Sequence, residues 1–217
     1  MFRYDPPLRA KHIMTTHLDT ISPDDILRNV KNKLFRSSFR HLPVVDVINE
    51  VQGTIKKTRR VLLGIISDRD ILKHLSPLVG TPSEKNIDRY TLDLTIEKIM
   101  TRNPITVLPL TYVAQIAQML LENKINCVCV TNSRMFLKGI ITSSDFLKII
   151  QEDEKVLIPL SSIMTPKESL SVVHLDSTVG EVRQLIITSK IRHIPVVDDH
   201  GSIAGCIVDK DIFRVLY

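Results

Sequence analysis

Gly64-Ile-Ile-Ser-Asp-Arg-Asp70 decides the fold of this chain, because the same pattern occurs twice more. It returns as Gly139-Ile-Ile-Thr-Ser-Ser-Asp145 and again as Gly205-Cys-Ile-Val-Asp-Lys-Asp211. Each copy keeps a glycine, a short apolar segment and an aspartate at constant spacing. The first two copies also keep a hydroxyl three residues before the aspartate. Such a recurrence indicates a repeat protein with the same strand-to-helix turn in three places.

The repeat extends well beyond this turn. Val107–Ile150 aligns without a gap on Val173–Leu216, and Arg40–Asp46 aligns on Arg192–Asp198. Copy 1 departs from the others by an insertion at about residues 48–60. Each copy opens with the same three residues: Ile13-Met14-Thr15, Ile99-Met100-Thr101 and Ile163-Met164-Thr165.

The hydrophobic pattern of one copy predicts a β-α-β-β-α unit. Apolar residues at 105–107 predict a first strand, and the helical spacing of apolar residues within 27–35 predicts an amphipathic helix. The apolar run 194–197 predicts a buried strand, which a turn joins to a second strand at 203–208. The last helix begins at the hydroxyl position. A unit of about 55–60 residues buries too little surface to be stable alone, so we expect such units to pair.

These units divide the chain into three repeats and a linker. Repeat 1 covers residues 10–77 and contains the hairpin insertion, and the linker covers residues 78–95. Repeat 2 covers residues 96–150, and repeat 3 covers residues 160–217. The predicted fold class is α+β.

The repeated pattern resembles the cystathionine-β-synthase (CBS) domain family over nearly the whole chain. The consensus of that family runs hydrophobic-Met-Thr, Ile-Thr-Val-x-Pro, a helix, Leu-Pro-Val-Val-Asp and Gly-Ile-Val-[Thr/Ser]-x-x-Asp. The resemblance implies tandem repeats that pack sheet to sheet as a regulatory unit, often called a Bateman module. It also implies clefts between the repeats that bind adenosine derivatives such as AMP, ADP, ATP or S-adenosylmethionine.

The turns Ser67–Asp70 and Thr142–Asp145 have two compatible interpretations. A hydroxyl at the first position and an acidic residue three positions later make a helix cap. The same hydroxyl and helix N-terminus can also donate to a phosphate, while the aspartate accepts from a ribose diol. Repeat 3 has Val208 in place of the hydroxyl and keeps only Asp211.

Further ligand contacts follow from the resemblance. Arg40-His41 and Arg192-His193 lie at the start of a strand, where basic residues reach a phosphate in some family members. The alternative is a solvated or hydrogen-bonded strand end. Repeat 2 has Asn126-Cys127 there and lacks the cation. Three pairs of residues match the family's base-binding edge: Thr20-Ile21, Thr106-Val107 and Val172-Val173.

No catalytic constellation emerges from the sequence. The seven histidines are scattered, and neither a glycine-rich phosphate loop nor a metal-binding motif occurs. Three cysteines without framework spacing, at 127, 129 and 206, are expected to be buried packing residues. We therefore expect a protein that is not an enzyme, needs no cofactor or metal, and takes a nucleotide as a regulatory ligand.

The formal net charge of +5 is partly concentrated in Lys56–Arg60 of the hairpin insertion. Such a run is either a solvated loop or a surface for an acidic partner or nucleic acid. Aromatic residues are absent from the run, so at most weak nucleic-acid binding is expected. Residues 1–19 lack the apolar segment of a secretory signal, and Pro104 and Pro109 interrupt the longest uncharged stretch. We therefore expect a cytoplasmic protein without a membrane span.

The leading hypothesis is a non-catalytic sensor that binds an adenine nucleotide between repeats and acts on a regulated protein partner. The alternative is an interaction or nucleic-acid-binding protein whose repeats bind no ligand. An odd number of repeats leaves repeat 3 without a partner in the chain, so we expect a homodimer in which repeat 3 pairs with its twin. A chain that is part of a four-repeat protein would offer repeat 3 a different partner.

Overall fold

The computed structural model describes residues 7–52, 55–79, 82–149, 159–189 and 191–215. They form an α+β structure of short helices and small sheets, as the sequence predicts. The elements of repeat 1 are α1 (Ala10–Ile13), α2 (Leu27–Arg36), β1 (His41–Gln52), β2 (Ile55–Ser67) and α3 (Asp68–His74).

Repeat 2 follows a linker that is itself partly helical. The linker contains α4 (Asn86–Tyr90) and a 3₁₀ turn at Thr91–Asp93. The elements of repeat 2 are α5 (Ile96–Ile99), β3 (Thr101–Arg102), β4 (Thr106–Val107), α6 (Val113–Glu122), β5 (Cys127–Thr131), β6 (Leu137–Thr142) and α7 (Ser143–Leu147).

Repeat 3 keeps the same order of strands and helices. Two 3₁₀ turns, Leu160–Ser162 and Lys167–Ser169, precede its first strand. Its elements are β7 (Val173–His174), α8 (Val179–Ser189), β8 (His193–Val197), β9 (Ile203–Val208) and α9 (Asp209–Val215).

The sheets confirm the β-α-β-β-α unit. In repeat 2, β4 runs parallel to β5 and β5 runs antiparallel to β6, and β7, β8 and β9 of repeat 3 are arranged in the same way. In repeat 1 the first strand is reduced to a parallel bridge between Ile21 and Val44. Its sheet has the order β1-β2-β3, so the third strand comes from repeat 2.

The Cα positions divide the chain into two compact units. Unit 1 comprises Met1–Asp25, His41–Ile66 and Thr95–Glu154, and thus holds the strands of repeat 1 together with repeat 2. Within it, Val61 and Phe136 form an antiparallel bridge. This contact confirms the expected pairing of repeats 1 and 2 through their sheets.

Two short segments, called straps here, cross between the repeats of unit 1. Strap 1, residues 10–15, places Thr15 beside Ile140 in β6, with backbone N–H···O distances of 2.9 and 3.0 Å in the two directions. Strap 2, residues 96–101, places Thr101 opposite Ile65 in β2. Each repeat therefore adds its opening residues to the sheet of the other.

The straps also contribute to the core of unit 1. Ala10 of strap 1 is buried in one cluster with Ile116, Val128 and Ile141 of repeat 2, and Met14 packs against that cluster. Burial of such side chains stabilises a fold by roughly 25 cal/mol per Å² of apolar surface. Exchange of straps is therefore part of how repeats 1 and 2 hold together.

Unit 2 comprises Ile26–Arg40, Ser67–Leu94 and Lys155–Tyr217. Here the helices of repeat 1 meet those of repeat 3: α3 packs against α2, α8 and α9. Repeat 3 therefore has a partner within the chain, contrary to the expectation, although helices make this contact and its sheet does not. Buried Ile71 of α3 and Ile186 of α8 contribute to this helical core. The Arg183 guanidinium donates to the carbonyls of Leu72 and Leu75, which are end-of-helix acceptors that the helix itself cannot satisfy.

Two expectations about burial need correction. Ile194 and Val197 of β8 are buried, but Pro195 and Val196 between them are only half-buried. Cys129 is buried, and burial raises the pKa of its thiol to about 12. Cys127 is only half-buried, and Cys206 in β9 is exposed. Residues 203–206 of β9, an edge strand, are all exposed, so this part of the strand is uncovered in the part of the chain that the structure describes.

Candidate ligand-binding turns and an arginine–aspartate cluster

The turn of repeat 1 positions Ser67 and Asp70 as a reciprocal cap of α3. The Ser67 backbone N–H and hydroxyl donate to Asp70 Oδ2 at 2.8 and 2.7 Å, and the Asp70 N–H lies 3.4 Å from Ser67 Oγ. Asp70 is half-buried. The capping interpretation is therefore confirmed, and the carboxylate remains partly open to the surface.

The turn of repeat 2 has the same geometry but is more enclosed. The Thr142 N–H and hydroxyl donate to Asp145 Oδ2 at 2.8 and 2.9 Å. Asp145 is only 3% exposed, and its Oδ1 accepts from Lys148 Nζ at 2.6 Å. Since the Lys148 side chain is largely exposed, a ligand that needs Asp145 can displace a solvent-facing cation rather than a buried one.

In the turn of repeat 3, only the backbone half of this cap is present. The Val208 N–H donates to Asp211 Oδ2 at 2.9 Å. Val208 has no hydroxyl to offer to a phosphate or to the backbone of α9. Repeat 3 thus keeps the carboxylate but not the hydroxyl.

The predicted base-binding positions are the first strands of the repeats. The Ile21 N–H donates to the Pro43 carbonyl, and the Ile21 carbonyl accepts from Val45. Thr106 and Val107 pair with β5 in parallel register, and Val173 pairs with β8. The side chains of Ile21, Val107 and Val173 are buried, while Thr20 and Thr106 are half-buried. The two threonines are therefore the more accessible members of their pairs.

Arg40 and Arg192 are brought together in unit 2 although they are distant in sequence. Arg40 Nη1 lies 3.4 Å from Asp209 Oδ2. Arg192 Nη1 lies 3.4 Å from Asp68 Oδ2 and 3.6 Å from Asp209 Oδ2. Together with Arg69, which interacts electrostatically with both carboxylates, these residues form what we call the arginine–aspartate cluster: Arg40, Asp68, Arg69, Arg192 and Asp209.

The two aspartates of this cluster are nearly inaccessible to solvent and lie close enough for their charges to interact. Burial, followed by the charge of Asp209, raises the pKa of Asp68 to about 6, and Arg192 opposes that shift. Arg192 Nε is buried and has no hydrogen-bond partner among the described residues. Three guanidinium groups surround two carboxyls, so the cluster carries an excess of positive charge.

The geometry of the two Arg-His pairs adds a contact that the sequence did not predict. Each arginine is hydrogen-bonded to a buried aspartate, which agrees with the alternative of a hydrogen-bonded strand end, but the sequence did not indicate which residues are the partners. His41 is half-buried at the start of β1, and His193 is exposed at the start of β8, where it pairs with Val208. The predicted sites are divided between the units: Arg40, Ser67, Asp70, Arg192, His193 and Asp211 belong to unit 2, and Thr20, Ile21, His41, Thr106, Val107, Thr142 and Asp145 belong to unit 1.

The chain itself contains a signal for this cluster. Repeats 1 and 3 both follow the turn's first position with an aspartate and a basic residue, Asp68-Arg69 and Asp209-Lys210. Repeat 2 has Ser143-Ser144 there. Repeat 2 also has Asn126 where the other two repeats have arginine. Repeats 1 and 3 thus have both the arginine and the aspartate of the cluster, whereas repeat 2 has neither.

Some of the positive charge of the basic hairpin is already paired within unit 1. Arg59 pairs with Glu50 at 3.1 Å, and its guanidinium carbon lies 5.4 Å from the centre of the Phe136 ring. Lys57 is exposed. Fewer cations remain available to a polyanion than the sequence suggests.

A separate cleft of about 420 Å³ lies in unit 1 between Leu62-Leu63 and residues 100–103. None of the predicted ligand-binding residues lines it. Among the described residues, no group of three or more His, Cys, Asp or Glu is placed to hold a metal ion. In the same part of the chain, no helix combines the length and apolar character that crossing a membrane requires.

The sequence of this chain matches the CBS domain family in three segments, residues 10–77, 96–152 and 160–217. The chain therefore belongs to the CBS domain family, and the resemblance carried by the repeated turn is confirmed.

Two solved structures place the fold among proteins of this family. Protein MJ1225 from Methanocaldococcus jannaschii superposes with a TM-score of 0.79 at 19% identity, over 95% of this chain and 72% of that one. The CBS domain pair of protein MJ0100, solved in complex with 5′-methylthioadenosine and S-adenosyl-L-methionine, has a TM-score of 0.50 at 27% identity, over 66% of this chain and 95% of that one.

Among curated relatives, inosine-5′-monophosphate dehydrogenase from Aquifex aeolicus is 30% identical over 178 residues. The match covers 80% of this chain and 34% of the dehydrogenase. The chain thus spans about a third of the length of that enzyme.

Proposed function

We propose that this chain is a non-catalytic sensor that binds an adenosine-type nucleotide: AMP, ADP, ATP or S-adenosylmethionine. The nucleotide is a regulatory ligand, and neither a cofactor nor a metal is required. Its binding changes how the repeats pack against each other or against a regulated protein partner, because a ligand favours the arrangement that it contacts best.

One observation carries this proposal. The hydroxyl–aspartate turn recurs in a chain that belongs to the CBS domain family, and a CBS pair 27% identical to part of this chain is described with two adenosine ligands. Both turns present a hydroxyl and a carboxylate at a helix N-terminus. An adenosine ribose offers a diol to the carboxylate, and a 5′-phosphate offers acceptors to the hydroxyl.

The residues have distinct proposed roles. Asp70 and Asp145 accept from the ribose diol, whereas Ser67 and Thr142 donate to the phosphate. The base lies along the Thr20-Ile21 and Thr106-Val107 edges. Asp70 is the more accessible of the two carboxylates, since Asp145 is nearly buried and ion-paired with Lys148. The turn of repeat 1 is accordingly the stronger site.

Arg40-His41 and Arg192-His193 are proposed to attract the phosphate. The positive excess of the arginine–aspartate cluster supports this role, because three cations face two carboxyls in a buried setting where charge interactions are strong. Separately from nucleotide binding, we also propose a cytoplasmic location and a homodimer.

The decisive experiment is calorimetric titration of AMP into the parent protein and its aspartate variants. We expect Asp70→Ala to weaken binding by about 10- to 100-fold, since a hydrogen bond to a charged group contributes about 1.5–3 kcal/mol. Asp145→Ala should weaken binding less, and the double variant most. Ser67→Ala and Thr142→Ala should reduce affinity for AMP more than for adenosine, because their partner is the phosphate.

Asp211→Ala is the matched control, because it removes the carboxylate from the one turn that lacks a hydroxyl. Circular dichroism should show that each variant keeps its secondary structure, which separates ligand contact from capping. The site assignment is wrong if the double variant binds AMP as well as the parent does, or if only Asp211→Ala loses binding.

A further inference from the structure

Repeat 3 displays on its surface the residues that repeats 1 and 2 bury against each other. The segment that aligns with the straps, residues 160–165, is called strap 3. Its Leu160, Ile163 and Met164 are 76%, 67% and 59% exposed. Their counterparts in strap 2, Ile96, Ile99 and Met100, are 0%, 6% and 9% exposed.

The acceptor for a strap is equally open in repeat 3. In unit 1 each strap lies beside the strand that carries the repeat's glycine, β2 or β6. The aligned strand of repeat 3 is β9, where Ile203 is 77% exposed. Its counterpart in repeat 1, Leu62, is buried.

The three aligned glycines show why the position must lack a side chain when a strap is present. A Cβ placed on Gly64 would lie 2.5 Å from Met100 Sδ, and one placed on Gly139 would lie 2.8 Å from Met14 Sδ. At Gly205 no atom of the described residues lies within 4 Å of such a Cβ. In unit 1 a methionine side chain lies against each of the two aligned glycines. At Gly205 the corresponding space is empty of described residues.

From this geometry we propose that repeat 3 pairs with repeat 3 of a second copy of this chain by reciprocal exchange of straps. The Met164 side chain of each copy covers Gly205 of the partner subunit, and Thr165 pairs with Cys206 of the partner subunit. The two halves of the contact are the same residues, as a two-fold axis requires.

A second copy fits because the chain already carries both complementary parts. Strap 3 retains the Ile-Met-Thr residues of straps 1 and 2, and β9 retains the glycine that receives the methionine. Strap 1 makes its two backbone bonds through Thr15. The corresponding residue of strap 3 is Thr165. Pro166 lacks an N–H, but it follows Thr165 and so does not prevent either of these bonds. This inference rests on the homodimer of the proposed function and states how it forms, but it does not depend on nucleotide binding.

Gly205→Val gives the sharpest test. In the free chain the new side chain meets open space, so the variant should fold like the parent. In the exchanged dimer it collides with Met164 of the partner subunit. We expect light scattering to give the parent twice the 24.7 kDa chain mass at micromolar concentration, and the variant the mass of one chain. Gly139→Val is the contrasting change, because there the collision lies within unit 1 and should lower thermal stability.

A crosslink tests the register. Thr165→Cys places a thiol opposite Cys206 of the partner subunit in an antiparallel pair, where Cα atoms lie about 5.5 Å apart and within reach of a disulfide. Mild oxidation should give a covalent dimer on a non-reducing gel. The same substitution combined with Cys206→Ser should give none.

A monomeric parent, a dimer that survives Gly205→Val, or a Thr165→Cys variant that forms no crosslink through Cys206 would each overturn the exchange. Titration of AMP into the same samples keeps the two proposals apart. Unchanged AMP binding in a monomeric parent counts only against the exchange, and a Gly205-dependent dimer that binds no AMP counts only against the sensor.

Discussion

Unit 1 and unit 2 each join two repeats, but they use different faces of the same β-α-β-β-α fold. In unit 1, repeats 1 and 2 meet through strands and exchange straps across an apolar core. In unit 2, repeats 1 and 3 meet through helices around the arginine–aspartate cluster. One repeat pattern thus supports two kinds of contact.

A few side chains account for this difference. Repeat 2 has Asn126, Ser143 and Ser144 where repeats 1 and 3 have arginine, aspartate and a basic residue. If repeat 2 packed against another repeat through these positions, it would supply neither the arginine nor the aspartate that forms the ion pairs of the cluster. Buried charges are tolerated only when they are paired and hydrogen-bonded. The cluster therefore matches repeat 1 to repeat 3 and leaves repeat 2 unsuited to that contact.

Removal of Arg192 is the change expected to damage unit 2 most. Its guanidinium contacts both Asp68 and Asp209, so Arg192→Ala leaves two buried carboxyls without that cation. Loss of one partner from a buried pair costs about 3–5 kcal/mol. We expect the free energy of unfolding to fall by about that amount in urea denaturation followed by circular dichroism.

Asn126→Ala is the matched control. Asn126 occupies the position of repeat 2 that aligns with Arg40 and Arg192, and as an uncharged residue it forms no ion pair. A change of this kind away from a buried pair should alter the free energy of unfolding by less than about 0.5 kcal/mol. If both variants lose the same stability, the cluster is not what distinguishes the two units.

Asp68 should give unit 2 a distinctive pH dependence. Its pKa is raised from 3.8 to about 6, so between these values the folded protein holds a proton that the unfolded chain has lost. The associated stabilisation is fully present below about pH 4 and is lost as the pH rises through about 6, on the order of 3 kcal/mol. The charged groups that face Asp68 are Asp209, Arg192 and Arg69.

Comparison with Asp68→Asn isolates this effect, because asparagine cannot ionise. The difference in unfolding free energy between variant and parent, measured by urea denaturation from about pH 4 to 7, should grow in favour of the variant. A difference that stays constant, or that grows in favour of the parent, would show that Asp68 does not titrate in this range.

The smallest expected effect concerns the turn of repeat 3. Val208→Thr supplies the hydroxyl that repeats 1 and 2 already have, and Asp211 is in place to complete the cap. We expect the free energy of unfolding to rise by about 0.5–1 kcal/mol, as checked by thermal and urea unfolding. The reverse change in repeat 1, Ser67→Val, should cost a similar amount, and equal stability in all three proteins would contradict the capping argument.

Much of the fold could be predicted from the sequence because its determinants are local. The spacing of apolar residues predicts the strands and helices of each repeat, and the Ser67–Asp70 and Thr142–Asp145 spacing predicts reciprocal caps. Three in-phase copies of that pattern are enough to predict the fold class and the family. Within the candidate site, the hydroxyl–aspartate turns belong to this predictable part.

The pairing of the repeats depends on side chains that are far apart in sequence. Arg192 meets Asp68 only because α3 packs against α8 and α9. The burial that results raises the pKa of Asp68, and the same packing gives a carboxyl partner to the arginine that the sequence assigns to a phosphate. In the same way, Met100 is buried and Met164 is exposed although both occur in the same Ile-Met-Thr pattern. Local sequence determines which element a residue forms, whereas the free energy of burying its side chain depends on which surface comes to cover it.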